Sequence, residues 1–600
     1  MITRFIRHLD PVPLLGVLKS YSRGEVKGDL QAGLNTALLA FPQGIAYASI
    51  AGLPIQYGIF GSIMAALVSP WFSGSRFITP GPTNATAAMV LATFPTLGLI
   101  TESERALGMP LVLLMVGSFL ICGALLQVAN LIQYVSRSVV TGYITAAAVY
   151  IIVNQVPKVL GLTLDVPPGS NILALAWYTV AGLGTFQLSA ILISALTLLC
   201  YLAIKRFRPH WPVVAVVLLV LSCLHAGLDY GGVYARLDGP VAHASAIQPD
   251  KWALSWPVLN PNWTDFGLVA LTLSFLIALE SISIGKTIAA RSGQRLDGNQ
   301  EILGLGFANI FCGLYQGMPA GGSLTRSQLN WSSGARTGLS NVYSGLICLV
   351  GALTLGQLTG FIPIPVLGVL VITIGISLIN RKVIRVVWNT TNSDRTVYLV
   401  TVFSALTLRL DFAIILGTAT SILLFLRKAA QPELMEYGQE EAQRFAPEEG
   451  QAATTEIAIV HVEGALFFGA AELFRDQMRR VCERQNQKVV ILKLRNAHHL
   501  DATSVLALEE LIRYMQETNR QLLISEVRDE AMRIFRNSRL LEVIGEDNVF
   551  ADDANNPTLS TSLALRRAMK LLDGEEAEVK IFVGGSHRHD EPQPAPQEKS

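Results

Sequence analysis

From residue 30 to residue 428 the chain is a succession of apolar stretches, many close to twenty residues long and parted by short polar breaks. The hydrocarbon core of a bilayer is about 30 Å thick and takes roughly twenty apolar residues in a helix to cross. Backbone groups in lipid must be paired within a helix or a closed barrel, so repeated runs of this length define a polytopic helical membrane protein. Helices are expected near 31–48, 55–72, 82–97, 109–128, 135–154, 175–203, 211–228, 265–287, 299–316, 323–335, 339–359, 362–380, 395–409 and 411–427, about fourteen in all. Only 15% of the residues are charged, against about a quarter in a soluble chain. Charged and Gln residues concentrate from 427 onward, so two parts with different solvents follow.

The remaining composition removes several function classes. A net charge of +1 and the lack of a long Lys/Arg block give no field for nucleic acid. The six cysteines include no Cys-x-x-Cys pair and five lie in apolar runs, so neither a disulfide framework nor a metal is expected, and no cofactor is implied. There is no GxxxxGK[ST], GxSxG or HExxH motif, and Gly304-Leu-Gly306 lies inside an expected membrane helix with no preceding strand, so the chain is not expected to be an enzyme. Residues 1–21 lack the apolar core and cleavage site of a signal peptide and are read, with the rest of 1–29, as a cytoplasmic arm.

With that arm inside, the loops on its side collect Arg76, Arg137, Lys205, Arg206, Arg208, Lys286, Arg291, Arg295, Arg336, Arg381, Lys382, Arg385 and Arg395. The opposite loops hold five cations: Arg105, Lys158, Arg236, Lys251 and Arg409. Positive charge resists translocation, so the excess orients the chain with both termini cytoplasmic, in a plasma (bacterial inner) membrane.

Two expected helices, the third and the tenth, are short and follow Gly/Pro-rich segments: Thr79-Pro-Gly-Pro-Thr-Asn84 and Gly317-Met-Pro-Ala-Gly-Gly-Ser323. Their ranks differ by seven, the pattern left by an inverted repeat with its substrate site at the broken ends. Beyond the membrane part, 30–428, comes a linker, 429–453. Strand-like runs at 457–462, 489–494 and 521–525 then alternate with helical patterns at 470–482, 504–515 and 529–536, indicating a small α/β domain over 454–573. The Glu-, His-, Pro- and Gln-rich tail, 574–600, is read as disordered.

Three segments carry a family resemblance: Phe41-Pro-Gln-Gly-Ile-Ala-Tyr-Ala-Ser-Ile-Ala-Gly-Leu-Pro54, Gly74-Ser-Arg-Phe-Ile-Thr-Pro-Gly-Pro82 and Gly321-Gly-Ser-Leu-Thr-Arg-Ser327. Over nearly its whole length the chain resembles the SulP sulfate permeases and solute-carrier anion transporters, and its C-terminal part resembles a STAS domain (sulfate transporter and anti-sigma-factor antagonist). The resemblance implies a fourteen-helix 7+7 inverted repeat like that of the uracil permeases, with a core bundle moving against a gate bundle, commonly as a homodimer. It implies a secondary transporter of small inorganic anions, with sulfate the first choice. Bicarbonate, dicarboxylate and chloride stay open, as do exchange and uncoupled conductance. It also implies that Gln43 and Tyr47, Thr83 with Asn84, and Ser323, Leu324, Thr325 and Arg326 border the anion.

The physics of these motifs agrees. A helix that begins at mid-membrane aims unpaired N–H groups and about half a positive charge at what precedes it. Pro82 suits a helix's first turn, Gly81 permits close backbone approach and Ser323 can cap the tenth helix. The bland alternative is that both breaks are filled by small residues for packing, with Arg326 snorkelling to the cytoplasmic end. Glu280 closes the apolar run Leu271-Thr-Leu-Ser-Phe-Leu-Ile-Ala-Leu-Glu280, and an acid at that depth is by default functional. Low dielectric favours its neutral form, so Glu280 is expected to take a proton and couple proton to anion movement, with sodium the less favoured ion. The alternative is a structural carboxylate paired with Arg326 or a backbone donor. In the C-terminal domain His498-His-Leu-Asp-Ala-Thr-Ser504 occupies the STAS phospho-loop position, with Asp501, Thr503 and Ser504 as regulatory candidates. Ala502 stands where the family often has a hydroxyl. A cytoplasmic partner of this domain is expected, and His498 and His499 are read as solvated loop residues rather than metal ligands.

Overall fold

The computed structural model describes residues 9–132, 135–164, 166–167, 172–208, 211–234, 237–248, 252–257, 263–408, 410–429, 433–434, 457–484, 488–553, 559–572 and 579–582. The chain divides into two compact units, Met1–Ser421 and Ile422–Ser600.

In the first unit each of the fourteen expected segments contains a helix. They are α1 Arg23–Ala51, α2 Ile55–Phe72, α3 Asn84–Thr93, α4 Glu102–Leu125, α5 Arg137–Leu160, α6 Leu188–Phe207, α7 Val213–Tyr230, α8 Trp263–Ser292, α9 Gly298–Leu314, α10 Leu324–Ser332, α11 Leu339–Leu355, α12 Ile364–Leu378, α13 Asn392–Thr407 and α14 Leu410–Ala429. Among the described residues, nine helical spans have both the length and the hydropathy to cross a membrane. One expectation is corrected: the run 175–203 is two helices, Ile172–Ala181 and α6, parted by a 3-10 turn at Gly182–Thr185, where two glycines release the chain from the helical course that its apolar content suggested. A ten-residue helix at Arg381–Thr390, with Arg381, Lys382 and Arg385 along it, joins α12 to α13.

The packing repeats with a shift of seven. α1 packs on α11 and α8 on α4; α2 packs on α11 and α9 on α4; α5 packs on α13 and α12 on α6. Each of these contacts returns when every helix is exchanged for its counterpart seven positions along, which is the signature of two inverted halves. The same contacts sort the helices into one bundle of α1–α4 with α8–α11 and another of α5–α7 with α12 and α13. Close approach inside the first bundle depends on glycine pairs. Gly44 of α1 and Gly58 of α2 leave no room for a Cβ on either, as do Gly117 of α4 and Gly306 of α9.

The second unit is a parallel sheet of β4 Ile457–Ala465, β5 Val489–His498, β6 Gln521–Val527 and β7 Val549–Ala551. β3 Glu433–Leu434 pairs antiparallel with β4, and β8 Val579–Phe582 pairs with β4 in parallel. One face buries Val460, Leu492 and Ile524 under α15 Phe468–Arg484 and α16 Ala502–Glu517; the other buries Ile459, Ile491 and Leu523 under α19 Leu559–Leu571. Two short helices, α17 Asp529–Asn537 and α18 Leu540–Ile544, link β6 to β7. β3 lies within the expected linker and β8 within the expected tail. The rest of the linker and of the tail lies outside the described residues.

Candidate functional site

The two Gly/Pro-rich breaks cross. β1 Pro80–Pro82 and β2 Ala320–Gly322 pair antiparallel, with Pro80 opposite Gly322, Gly81 opposite Gly321 and Pro82 opposite Ala320. Two prolines deprive this ladder of donors, and side chains from neighbouring helices supply the missing support. Asn309 of α9 donates to Ala320 O (2.8 Å) and accepts from Ala320 N (3.0 Å), while Ser281 of α8 accepts from Gly322 N (2.8 Å). Thr79 N donates to Ser327 Oγ (2.9 Å), Ser323 N to Thr79 O (3.2 Å), and Asn341 Nδ2 to Ile78 O (2.9 Å). All six strand residues are buried.

Antiparallel strands deliver α3 and α10 from opposite directions, so the starts of both helices come to one place. Thr83 caps α3, accepting from Thr86 N at 3.2 Å, and Ser323 caps α10, accepting from Arg326 N at 3.5 Å. Thr83 Oγ1 also donates to Glu280 Oε2 at 3.1 Å. Arg326 is fully buried, which rules out snorkelling. Its Nη2 donates to Pro82 O at 2.8 Å, while among the described residues Nε and Nη1 have no hydrogen-bond partner. Gly81, at φ +146°, lies against the guanidinium: a Cβ there would sit 3.0 Å from Nη2. Among the described residues Arg326 forms no ion pair, and its charge acts on Glu280 and Tyr47 over a longer range. The partner of Glu280 is thus the Thr83 hydroxyl, rather than Arg326 or a backbone donor.

The other expected residues are distributed unevenly. Tyr47 is buried within reach of the fields of both Arg326 and Glu280, and Gln43, one turn earlier, has a buried Oε1 without a partner among the described residues. Asn84 turns its Oδ1 back to Ala85 N (3.0 Å). Thr325 lies with Oγ1 3.4 Å from Ser323 Oγ, and Leu324 is 39% exposed. Ser281 and Asn309 were not anticipated, although a polar residue inside an apolar helix is a visible signal. Cys348 of α11, buried and also coupled to the Arg326 charge, carried no such signal.

In the C-terminal domain Asp501 caps α16, accepting from Ser504 N (3.0 Å), and accepts from Phe468 N (2.7 Å). Partial burial opposes ionisation, but these N–H groups and the Ser504 hydroxyl outweigh it and hold the carboxyl below its ordinary range. Ser504 is 3% exposed and its hydroxyl is engaged with Leu466 O (2.5 Å) and Asp501 Oδ1 (2.9 Å); Thr503 is exposed. Among the described residues no group of three His, Cys, Asp or Glu could hold a metal.

The architecture is that of a multi-pass membrane protein of two inverted halves, followed in the chain by an α/β domain. The chain belongs to the sulfate permease family, whose sequence model matches residues 26–401, and a STAS domain model matches 452–555. It is 27% identical over 564 residues to the chloroplastic sulfate transporter 4.1 of Arabidopsis thaliana, covering 90% of this chain and 81% of the relative. It is 26% identical over 565 residues to the sodium-independent sulfate anion transporter of Bos taurus, covering 89% of each. The fold is like that of the murine solute carrier 26 family member A9 anion transporter in the inward-facing state, at TM-score 0.81 and 18% identity over 94% of this chain and 95% of that one. The transmembrane domain of a cyanobacterial bicarbonate transporter, BicA, is similar at TM-score 0.58 and 18% identity over 66% of this chain and 97% of that one.

Proposed function

We propose that the protein is a secondary active transporter that takes up sulfate with protons. The observation that carries this reading is the buried Arg326 guanidinium, two of whose nitrogens lack partners, beside the joined starts of α3 and α10. A buried cation without a counter-ion is costly, and helix N-termini add partial positive charge and N–H donors. Together they suit a small oxyanion, with Ser323 and Thr325 as hydroxyl donors and Gln43 and Tyr47 closing the site from α1. The relatives' names favour sulfate.

The Thr83–Glu280 bond supplies a coupling route. A hydroxyl has one hydrogen and two lone pairs. When Glu280 is ionised, Thr83 spends its hydrogen on the carboxylate. When Glu280 is protonated, the acid donates to Thr83 instead, and the Thr83 hydrogen is released toward the anion. Protonation therefore removes a repelling charge and adds a donor at once. The protein is further read as a homodimer of the bacterial inner membrane with both termini cytoplasmic. Its STAS domain is a regulatory module for a cytoplasmic partner, with Thr503 the accessible hydroxyl of the phospho-loop. The test is uptake of labelled sulfate, bicarbonate, chloride and dicarboxylate by proteoliposomes under imposed proton or sodium gradients. Accumulation of sulfate driven by protons is expected. Sodium-driven accumulation, preference for another anion, or current far exceeding labelled flux would refute the reading.

A further inference from the structure

The far end of α1, beyond Gln43 and Tyr47, meets two cations. Lys158 of α5 donates from Nζ to Ser49 O at 3.3 Å. Arg105, in the first turn of α4, donates from Nε to Leu99 O (3.2 Å) and from Nη1 to Ala51 O (3.1 Å). Both side chains are half-buried. Gly52, at φ +64°, makes the arrangement possible, since a Cβ there would collide with the Arg105 guanidinium. Among the described residues neither cation forms an ion pair: Glu102 attracts both only at longer range, and Glu104 is committed to the cap of α4, accepting from Ile100 N (2.9 Å) and Thr101 N (2.8 Å).

Charge arithmetic leaves a surplus here. The C-terminus of a helix carries about half a negative charge, which cannot neutralise two cations, and a partly desolvated cation without a counter-ion is costly. Arg105 and Lys158 are moreover two of the five cations on the face opposite the basic loops; the other three, Arg236, Lys251 and Arg409, lie outside the described residues. The Lys158–Ser49 bond also joins the two helix bundles, since α5 belongs to one and α1 to the other.

We propose that Lys158 and Arg105 form an entry site for the transported oxyanion on the membrane face opposite the basic loops, where the arriving anion takes the Lys158 ammonium from the Ser49 carbonyl and frees α1 from α5. The proposal rests on the anion-transport reading. An oxyanion can accept from an ammonium and a guanidinium together and with full charge, whereas the Ser49 carbonyl offers one neutral acceptor. Water on the opening face then serves the released carbonyl.

The test uses the full chain and labelled sulfate, presented to opposite faces by intact cells and by inverted membrane vesicles. Lys158→Gln is expected to raise the KM for uptake by cells about tenfold and to flatten its dependence on ionic strength, leaving the KM in inverted vesicles within about twofold of wild type. Lys158→Arg should restore the cell KM. Arg105→Gln carries the same expectation as Lys158→Gln and serves if the latter fails to reach the membrane. Equal KM changes on both faces would mark the pair as structural, and no change on either would remove the site; both outcomes overturn the proposal. Failure of the wild type to transport sulfate from either face would instead overturn the transport reading beneath it.

Discussion

Thr83 has one hydroxyl hydrogen, which it donates to the Glu280 carboxylate; in the proposed cycle an anion at the helix starts competes for it. Glu280→Gln fixes the choice, because the amide donates to Thr83 at every pH. The variant is expected to exchange labelled sulfate across proteoliposome membranes while losing accumulation driven by a proton gradient. Retained pH-driven accumulation would leave Glu280 a structural acid. A second carboxylate permits a pH prediction outside the membrane. Asp501 ionises more readily when folded, so its contribution to stability is complete above the unfolded value, about 3.9, and is lost as pH falls through the lower folded value. Asp501→Ala should therefore cost the C-terminal domain about 1 kcal/mol at pH 7 through loss of the α16 cap, with the gap to wild type narrowing at pH 3. Urea unfolding at the two pH values checks this, and an equal gap at both would contradict it.

At the scale of elements, the two broken helices matter as a pair. Ser323 and Thr83 each cap one helix, at 7% and 3% exposure, so a Leu at either position removes a donor and fills the space before a helix start. Each of Ser323→Leu and Thr83→Leu is expected to raise the KM for sulfate about ten- to a hundredfold, the equivalent of a charge-assisted hydrogen bond worth about 1.5–3 kcal/mol. Unchanged binding by either variant, correctly inserted, would place the anion elsewhere. The breaks themselves were legible in the sequence, because Pro80, Gly81, Pro82 and the run Gly317 to Gly322 cannot continue a helix. Their crossing was not, since pairing between residues some 240 positions apart leaves no local trace. Asn309 and Ser281 stand out in the sequence as polar residues in apolar helices, but that they hold β2 from outside does not, for the same reason. The 3-10 turn at Gly182–Thr185 was hidden by apolar neighbours, and the helix at Arg381–Thr390 by its charge. In the C-terminal domain the alternation of strand and helix was readable, but β8 was not, because its four residues lie in a stretch of disorder-like composition.

The whole molecule joins a membrane unit to an α/β one, and the two have separate cores. A chain ending near residue 440 is therefore expected to insert as the full chain does, judged by protease protection of its loops in inverted vesicles; loss of insertion would contradict the two-unit organisation. Within the membrane unit everything turns on Arg326, whose two unpartnered nitrogens sit beside the starts of α3 and α10. If an anion belongs there, the guanidinium contributes to binding before any transport step, so equilibrium binding tests the account without assuming how the cycle is driven. The measurement is calorimetric titration of sulfate into the purified wild-type protein and into Arg326→Ala of matched folding. The account predicts that the wild type binds and that Arg326→Ala binds at least tenfold more weakly; equal affinity for the two would contradict it.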